Sequence, residues 1–146
     1  MRKVELSIKI ATNPEKIISA FVNPKMLSDW WDVERSFIEL KPGGIYSLAW
    51  KVTESGFGYI STGIIKEYNA KENLIIEKLV YFNPEHPILG PMKLSVEANQ
   101  QGGETELKIC QEGYQDGQAW DWYYEAVSHA WPEVIKTIKN YLETNN

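Results

Sequence analysis

The stretch QAWDWYYEAVSHAWPEVIKTIKNYLE, Gln118 to Glu143, decides how this chain reads. Its apolar residues recur with a helical period. At about 100° per residue from Trp120, Tyr124, Val127, Trp131, Val134, Ile138 and Leu142 fall within about 40° of one line, and Tyr123, Ile135 and Tyr141 within about 60°. Glu125, His129, Glu133, Lys136 and Asn140 fall on the far side. The spacing predicts a long amphipathic helix over 118–143. Pro132 should kink it rather than split it, because the apolar phase carries through the proline. The apolar face is not uniform. Rings (Trp120, Tyr123, Tyr124, Trp131) with Val127 fill its first half, and compact aliphatics (Val134, Ile135, Ile138, Leu142) fill its second. Aliphatics pack densely against a sheet, whereas large rings with polar tips are harder to bury and tend to line clefts.

Upstream the period changes to two. Val4, Leu6, Ile8 and Ile10 alternate with Lys3, Glu5, Ser7 and Lys9, which predicts a half-buried strand. Asn13-Pro14-Glu15 reads as the start of a short helix, which Asn23-Pro24 ends, and a second short helix follows over 25–30. Further strands are predicted over 36–40, 45–53, 59–68, 74–82, 92–98 and 105–111. The residues 83–91, with three prolines and Gly90, read as a surface loop or a lid over a cavity. The connections are too short for parallel crossovers, so the strands pair antiparallel. The expected architecture is α+β: one antiparallel sheet of about six or seven strands curled around the terminal helix, with two short helices after the first strand. A single domain over 1–146 is expected. The gap between sheet and helix should be closed near Ile138 and open near Trp120, faced by Tyr46, Trp50, Tyr59 and Tyr81.

Composition narrows the function. The 146 residues carry 15 Lys and Arg against 20 Asp and Glu, a net charge of −5. Nucleic acid and anionic membrane surfaces want a basic patch, so neither is expected as a partner. The opening MRKVELSIKI alternates instead of forming an apolar run, and no apolar run reaches membrane-spanning length. A cytoplasmic protein without membrane insertion is expected. One cysteine, Cys110, excludes an internal disulfide, and two histidines without shared spacing make no zinc site. No metal and no cofactor is expected. Gly56-x-Gly58 precedes a strand rather than a helix, so it is no phosphate cradle. His129 lies opposite the apolar face, His86 falls in the proline-rich loop, and Cys110 reads as a small, partly buried residue. No catalytic residue is assigned.

Four segments together resemble a known family. They are IKIATNPEKIISAFVNPKMLSDWW (Ile8–Trp31), LKPGGIYSLAW (Leu40–Trp50), GGETELKICQEGY (Gly102–Tyr114) and AWPEVIKTIKNYLE (Ala130–Glu143). In order and spacing they resemble the AHSA1-like group, the activator-of-Hsp90-ATPase homologues, within the START-like, Bet v 1-like (SRPBCC) superfamily. The closing helix there commonly carries a Gly-Trp pair, where this chain has Ala130-Trp131. The resemblance implies a helix-grip fold with a cavity between curved sheet and terminal helix. Members bind lipids, sterols and polyketides, some cyclise polyketides, and one branch stimulates a chaperone ATPase; the fold alone does not choose.

The first expectation is therefore binding of a small hydrophobic molecule (lipid-, polyketide- or aromatic-like). The lining residues would be Tyr46, Trp50, Tyr59, Tyr81, Trp120, Tyr124 and Val127, with Trp31 at the entrance. The alternative is a chaperone protein as partner, with stimulation of the Hsp90 ATPase through an exposed patch built on Trp30, Phe57 or Ile88. A third reading is an enzyme acting on a cyclic or polyketide-like substrate, with Tyr124 or a cavity carboxylate as acid. Nothing in the chain selects an oligomeric state.

Overall fold

Local chemistry sets the first elements of the computed structural model, which describes residues 2–145. The alternating opening forms β1 (Lys3–Ile10). Asn13 caps α1 (Pro14–Val22) by accepting the Lys16 N–H, while Pro14 occupies the first turn, where an N–H would have no helical partner. Asn23 repeats the device for α2 (Pro24–Trp31), accepting from Met26 N–H. Asp32, in the left-handed region at φ 56°, ends α2.

Six more strands follow: β2 (Arg35–Ile38), β3 (Ile45–Trp50), β4 (Tyr59–Asn69), β5 (Asn73–Phe82), β6 (Leu89–Gln101) and β7 (Glu104–Glu112). Helix α3 (Gln118–Thr144) closes the chain. The sheet runs β1-β7-β6-β5-β4-β3-β2, with every neighbouring pair antiparallel. The β6–β7 hairpin turns through Gly102-Gly103, with Gln101 paired to Glu104.

Four irregularities bend the sheet. Register shifts fall between Thr62 and Ile64, between Ile65 and Glu67, between Ile76 and Leu79, and between Leu79 and Tyr81. The third is visible in the pattern itself. Leu74 and Ile76 point inward, then the parity changes and Leu79 and Tyr81 do, with Lys78 between them at φ 53°. Bulges of this kind bend and twist a sheet, and here they curl it into a trough. Gly63 sits at the first shift, where an added Cβ would lie 2.7 Å from Ile76 Cγ2 and 2.9 Å from the Glu77 carbonyl. Only glycine allows that approach.

The second half of α3 packs against β1, α1 and α2. Ile17, Ile18, Phe21, Leu107, Ile109 and Ile138 are fully buried there. The end of the helix is tied down by polar groups. The Glu143 carboxylate accepts from Ala11 N–H (2.9 Å) and Lys139 Nζ (2.8 Å), and Lys139 Nζ also donates to the Lys9 carbonyl (2.7 Å).

The helix runs through Pro132 as one element, as the unbroken apolar phase predicts, and two other details differ from the sequence reading. Pro132 is exposed, where water can take the carbonyl that its missing N–H leaves unpaired. Strand β6 begins at Leu89, inside the segment read as loop. Pro91 is accommodated because it falls in the interrupted ladder between the Tyr81–Leu89 and Leu79–Met92 pairs. Finally, the Trp120 end of α3 is not open: Trp120 is 8% exposed, packed by Tyr114 and Tyr123.

Burial at both ends of α3 has a measurable consequence. Ile138→Ala and Trp120→Ala should each lower the free energy of urea unfolding by about 2–5 kcal/mol through cavity formation. The exposed Glu133→Ala should stay within about 0.5 kcal/mol of wild type. A Trp120→Ala value as small as that of Glu133→Ala would show that the first turns of α3 are not part of the core.

Candidate functional site

Because α3 packs closely on the β1 side and on α2, it stands away from the trough of β3, β4 and β5. A cavity of about 290 Å³ remains between them. Tyr46, Leu48 and Trp50 of β3, Tyr59 and Ser61 of β4, and Leu79 and Tyr81 of β5 form the sheet wall. Leu94 of β6 and Gln111 of β7 continue it, and Trp31 of α2 closes one end. Opposite them, α3 contributes Trp122, Tyr123, Val127, Trp131 and Val134. Ala126 and Ala130 also line the cavity, and both are exposed. With no side chain beyond Cβ they leave this flank of the helix uncovered, so the mouth lies there.

The wall is a belt of rings in contact. Trp31 meets Trp50 at 5.2 Å between centroids, Trp50 stacks on Tyr59 at 5.1 Å, Tyr59 reaches Tyr81 at 6.2 Å, and Tyr81 meets Tyr123 at 4.6 Å. Several polar tips are engaged away from the cavity. Trp50 Nε1 donates to the Trp31 carbonyl at 2.9 Å, and Tyr46 Oη donates to the Phe21 carbonyl at 2.6 Å. Burial pushes the Tyr46, Tyr59 and Tyr123 hydroxyls up from their ordinary pKa, so all three remain protonated at neutral pH. None of the lining side chains carries a formal charge.

One buried polar side chain crosses the trough. Gln111 is 4% exposed and links the sheet to the helix. Its Oε1 accepts from Trp131 Nε1 at 3.0 Å, and its Nε2 donates to Tyr123 Oη at 3.1 Å. At the rim, His86 of the 83–88 segment stacks on Trp122, with ring centroids 3.6 Å apart and planes 12° from parallel.

Of the eight side chains selected from sequence, Trp31, Tyr46, Trp50, Tyr59, Tyr81 and Val127 come together around this cavity. Trp120 and Tyr124 do not. They pack on Tyr114, in ring contacts of 6.2 and 5.1 Å, and the Arg2 guanidinium lies 5.0 Å from the Tyr124 ring centre. A helical wheel gives their face but not the β7–α3 connection that folds Tyr114 over them. Trp30, offered as an exposed docking residue, is 5% exposed, with Nε1 donating to the Ala20 carbonyl. Sequence reasoning passed over Gln111. It lies in phase with Thr105, Leu107 and Ile109, so an inward-facing amide among aliphatics was the available signal. Among the described residues, no group of three or more His, Cys, Asp or Glu side chains is placed to hold a metal ion. His129 is exposed, its Nδ1 donating to the Glu125 carbonyl at 2.8 Å.

A cavity enclosed between a curled antiparallel sheet and a long terminal helix defines the helix-grip class. Within it, the chain belongs to the Activator of Hsp90 ATPase homolog 1-like protein family, whose sequence profile matches residues 11–143. Its structure is similar to that of a Mesorhizobium loti protein, at 14% identity over 99% of both chains with a TM-score of 0.78. It is also similar to the Aha1 dimer from Colwellia psychrerythraea (13% identity, 98% of this chain and 97% of that one, TM-score 0.72). The AHSA1 protein from Silicibacter pomeroyi is a third (12% identity, 99% of this chain and 100% of that one, TM-score 0.74). At these identities the likeness is one of fold. No curated protein matches the chain.

Cys110 lies outside the cavity wall. Burial first, then its hydrogen bond to Glu112 (3.3 Å), pushes the thiol up to about 11. Almost no thiolate exists at pH 7.5, so iodoacetamide should label the folded protein far more slowly than a free thiol does. The rate should climb only as the pH approaches 11. Rapid labelling at neutral pH would mean that Cys110 sits in a different environment.

Proposed function

We propose that this protein binds a small hydrophobic molecule in the cavity between α3 and the sheet. One observation carries the reading: an aromatic-walled hollow of about 290 Å³ persists inside an otherwise densely buried core. An engineered apolar cavity of about 150 Å³ accommodates benzene. Roughly twice that volume suits a ligand of two or three fused rings, or a short acyl chain. Apolar desolvation, about 25 cal/mol per Å² buried, is the driving term, and the ring belt of Trp31, Trp50, Tyr59, Tyr81 and Tyr123 with Val127 supplies the contacts. The fold class is widely used for hydrophobic ligands, which is consistent with this reading.

A second reading has an observation of its own. Phe37 (66% exposed) and Leu40 (47%) stand out in solvent at the β2 edge of the sheet, and the family takes its description from a chaperone ATPase activator. A protein partner of the co-chaperone kind would use that edge, together with Ile88 (65%) or Phe57 (38%) only if it also spans the loop ends. Stimulation of an Hsp90 ATPase that disappears in Phe37→Ser would favour it.

The cavity reading is tested by filling the mouth. Ala130 is exposed, so Ala130→Trp should leave the unfolding midpoint nearly unchanged while occupying the hollow. Wild type should bind a naphthalene-type fluorescent probe, with a change in tryptophan emission. Ala130→Trp should weaken that binding by about tenfold or more. Equal binding by both proteins would place the probe elsewhere.

A further inference from the structure

The orientation of two amides fixes what the cavity asks of its ligand. An indole N–H only donates, so the Gln111 atom 3.0 Å from Trp131 Nε1 is the carbonyl oxygen, and the amide nitrogen faces the other way. That nitrogen lies 3.1 Å from Tyr123 Oη and 3.7 Å from Met92 Sδ. It only donates, so the Tyr123 oxygen accepts and its own proton goes elsewhere. Tyr81 is arranged likewise. The Glu85 backbone N–H, 3.0 Å from Asn83 Oδ1, fixes that amide, whose nitrogen donates to Tyr81 Oη at 3.0 Å. Among the described residues neither phenol proton has an acceptor within reach. Both rings line the cavity, 4.6 Å apart, with Tyr123 6% and Tyr81 8% exposed.

Two phenol donors therefore border one hollow, the Tyr123 hydroxyl buried and the Tyr81 hydroxyl part-buried. Each accepts from an amide, which polarises its O–H and strengthens it as a donor. A buried donor left unpaired is unfavourable, so a ligand offering an acceptor is favoured over one that does not. The wall has no cation, so a carboxylate would lose its hydration with only the two phenol donors to offset the loss. A neutral acceptor avoids that cost, and an oxygen without its own proton asks for no further partner.

We propose that the cavity selects neutral, ring-containing hydrophobic molecules bearing a carbonyl oxygen, ketones or quinones, and that Tyr123 and Tyr81 are the donors that recognise it. This rests on the reading of the cavity as a ligand site, and the two can fail separately. The probes are fluorene, 9-fluorenone and fluorene-9-carboxylate, which share one tricyclic frame. Titration into the wild type should give fluorenone the tightest binding, by about tenfold over fluorene, with the carboxylate weakest. Water–oil partitioning alone would favour fluorene, so this order is diagnostic. The fluorenone C=O stretch should shift to lower frequency on binding. In Tyr123→Phe and in Tyr81→Phe the preference should shrink to about twofold or less, with fluorene affinity retained and the infrared shift reduced. Should Tyr123→Phe fail to fold once its Gln111 bond is lost, Tyr81→Phe carries the same comparison. Equal binding of fluorene and fluorenone by wild type, tightest binding of the carboxylate, or a preference unchanged in a folded variant overturns the proposal while leaving a hydrophobic site in place. Binding of none of the three overturns both.

Discussion

The architecture depends on an asymmetry in how α3 meets the sheet. On one side it presses on β1, α1 and α2 through compact aliphatics such as Ile138 and Ile135, at the density of an ordinary core. On the other it faces a trough that curls away at the β4 and β5 bulges, and the distance is spanned by rings. Rigid planes held by their edges do not fill a curved space as branched aliphatics do. A void of this size, scaled at about 24 cal/mol per Å³, would cost up to about 7 kcal/mol if dry. That is comparable with the whole stability of a typical domain, about 5–15 kcal/mol. Close packing on the β1 side and the polar tie at Glu143 offset such a cost, and the hollow exists only because that side is solid.

The ring belt keeps its shape because its members are anchored at their polar tips. Trp50 donates to the backbone carbonyl of Trp31, Tyr46 donates to that of Phe21, and Trp131 donates to Gln111. These are buried donors whose loss would leave unpaired groups, so each bond constrains a ring rather than merely decorating it. The faces of those rings are left to the cavity. Gln111 does more, since it joins strand to helix across the trough and sets the distance between Trp131 and Tyr123.

Much of this was legible in the chain. The two-residue alternation of Val4–Ile10 and the wheel from Trp120 to Leu142 announce strand and helix, and the Asn-Pro pairs at 13–14 and 23–24 mark both short helices through a local mechanism. Six of the eight side chains selected for the site gather where α3 and the sheet face each other, because face is a property of period. Depth along the helix is not. Trp120 and Tyr124 share the phase of Val127, but Tyr114 packs on both and Arg2 lies over Tyr124, and those contacts come from the β7–α3 connection and from the residue before β1, which no periodicity encodes. The strand limits at Pro91 and the parity change at Lys78 were hidden for the same reason, since a bulge reads as a fault in a pattern until the partner strand is known. Gln111 was readable in principle, as a polar residue in an apolar phase, but only Trp131 and Tyr123 give it a role.

The division of labour between the two sides of α3 bears on how such a fold diverges. Structures alike at TM-scores of 0.72 to 0.78 share only 12–14% of their residues with this chain. The solid side asks for little beyond apolar residues of suitable volume, which can be exchanged in concert while the backbone course is kept. The hollow side asks for particular groups. Tyr123 Oη holds Gln111 Nε2 and Tyr81 Oη holds Asn83 Nδ2, so on this side the hydroxyls, and not only the ring volumes, enter the structure. Close packing and the hollow are thus written in different residues of one helix and one sheet. That separation allows the family's scaffold to persist while its interior is rewritten.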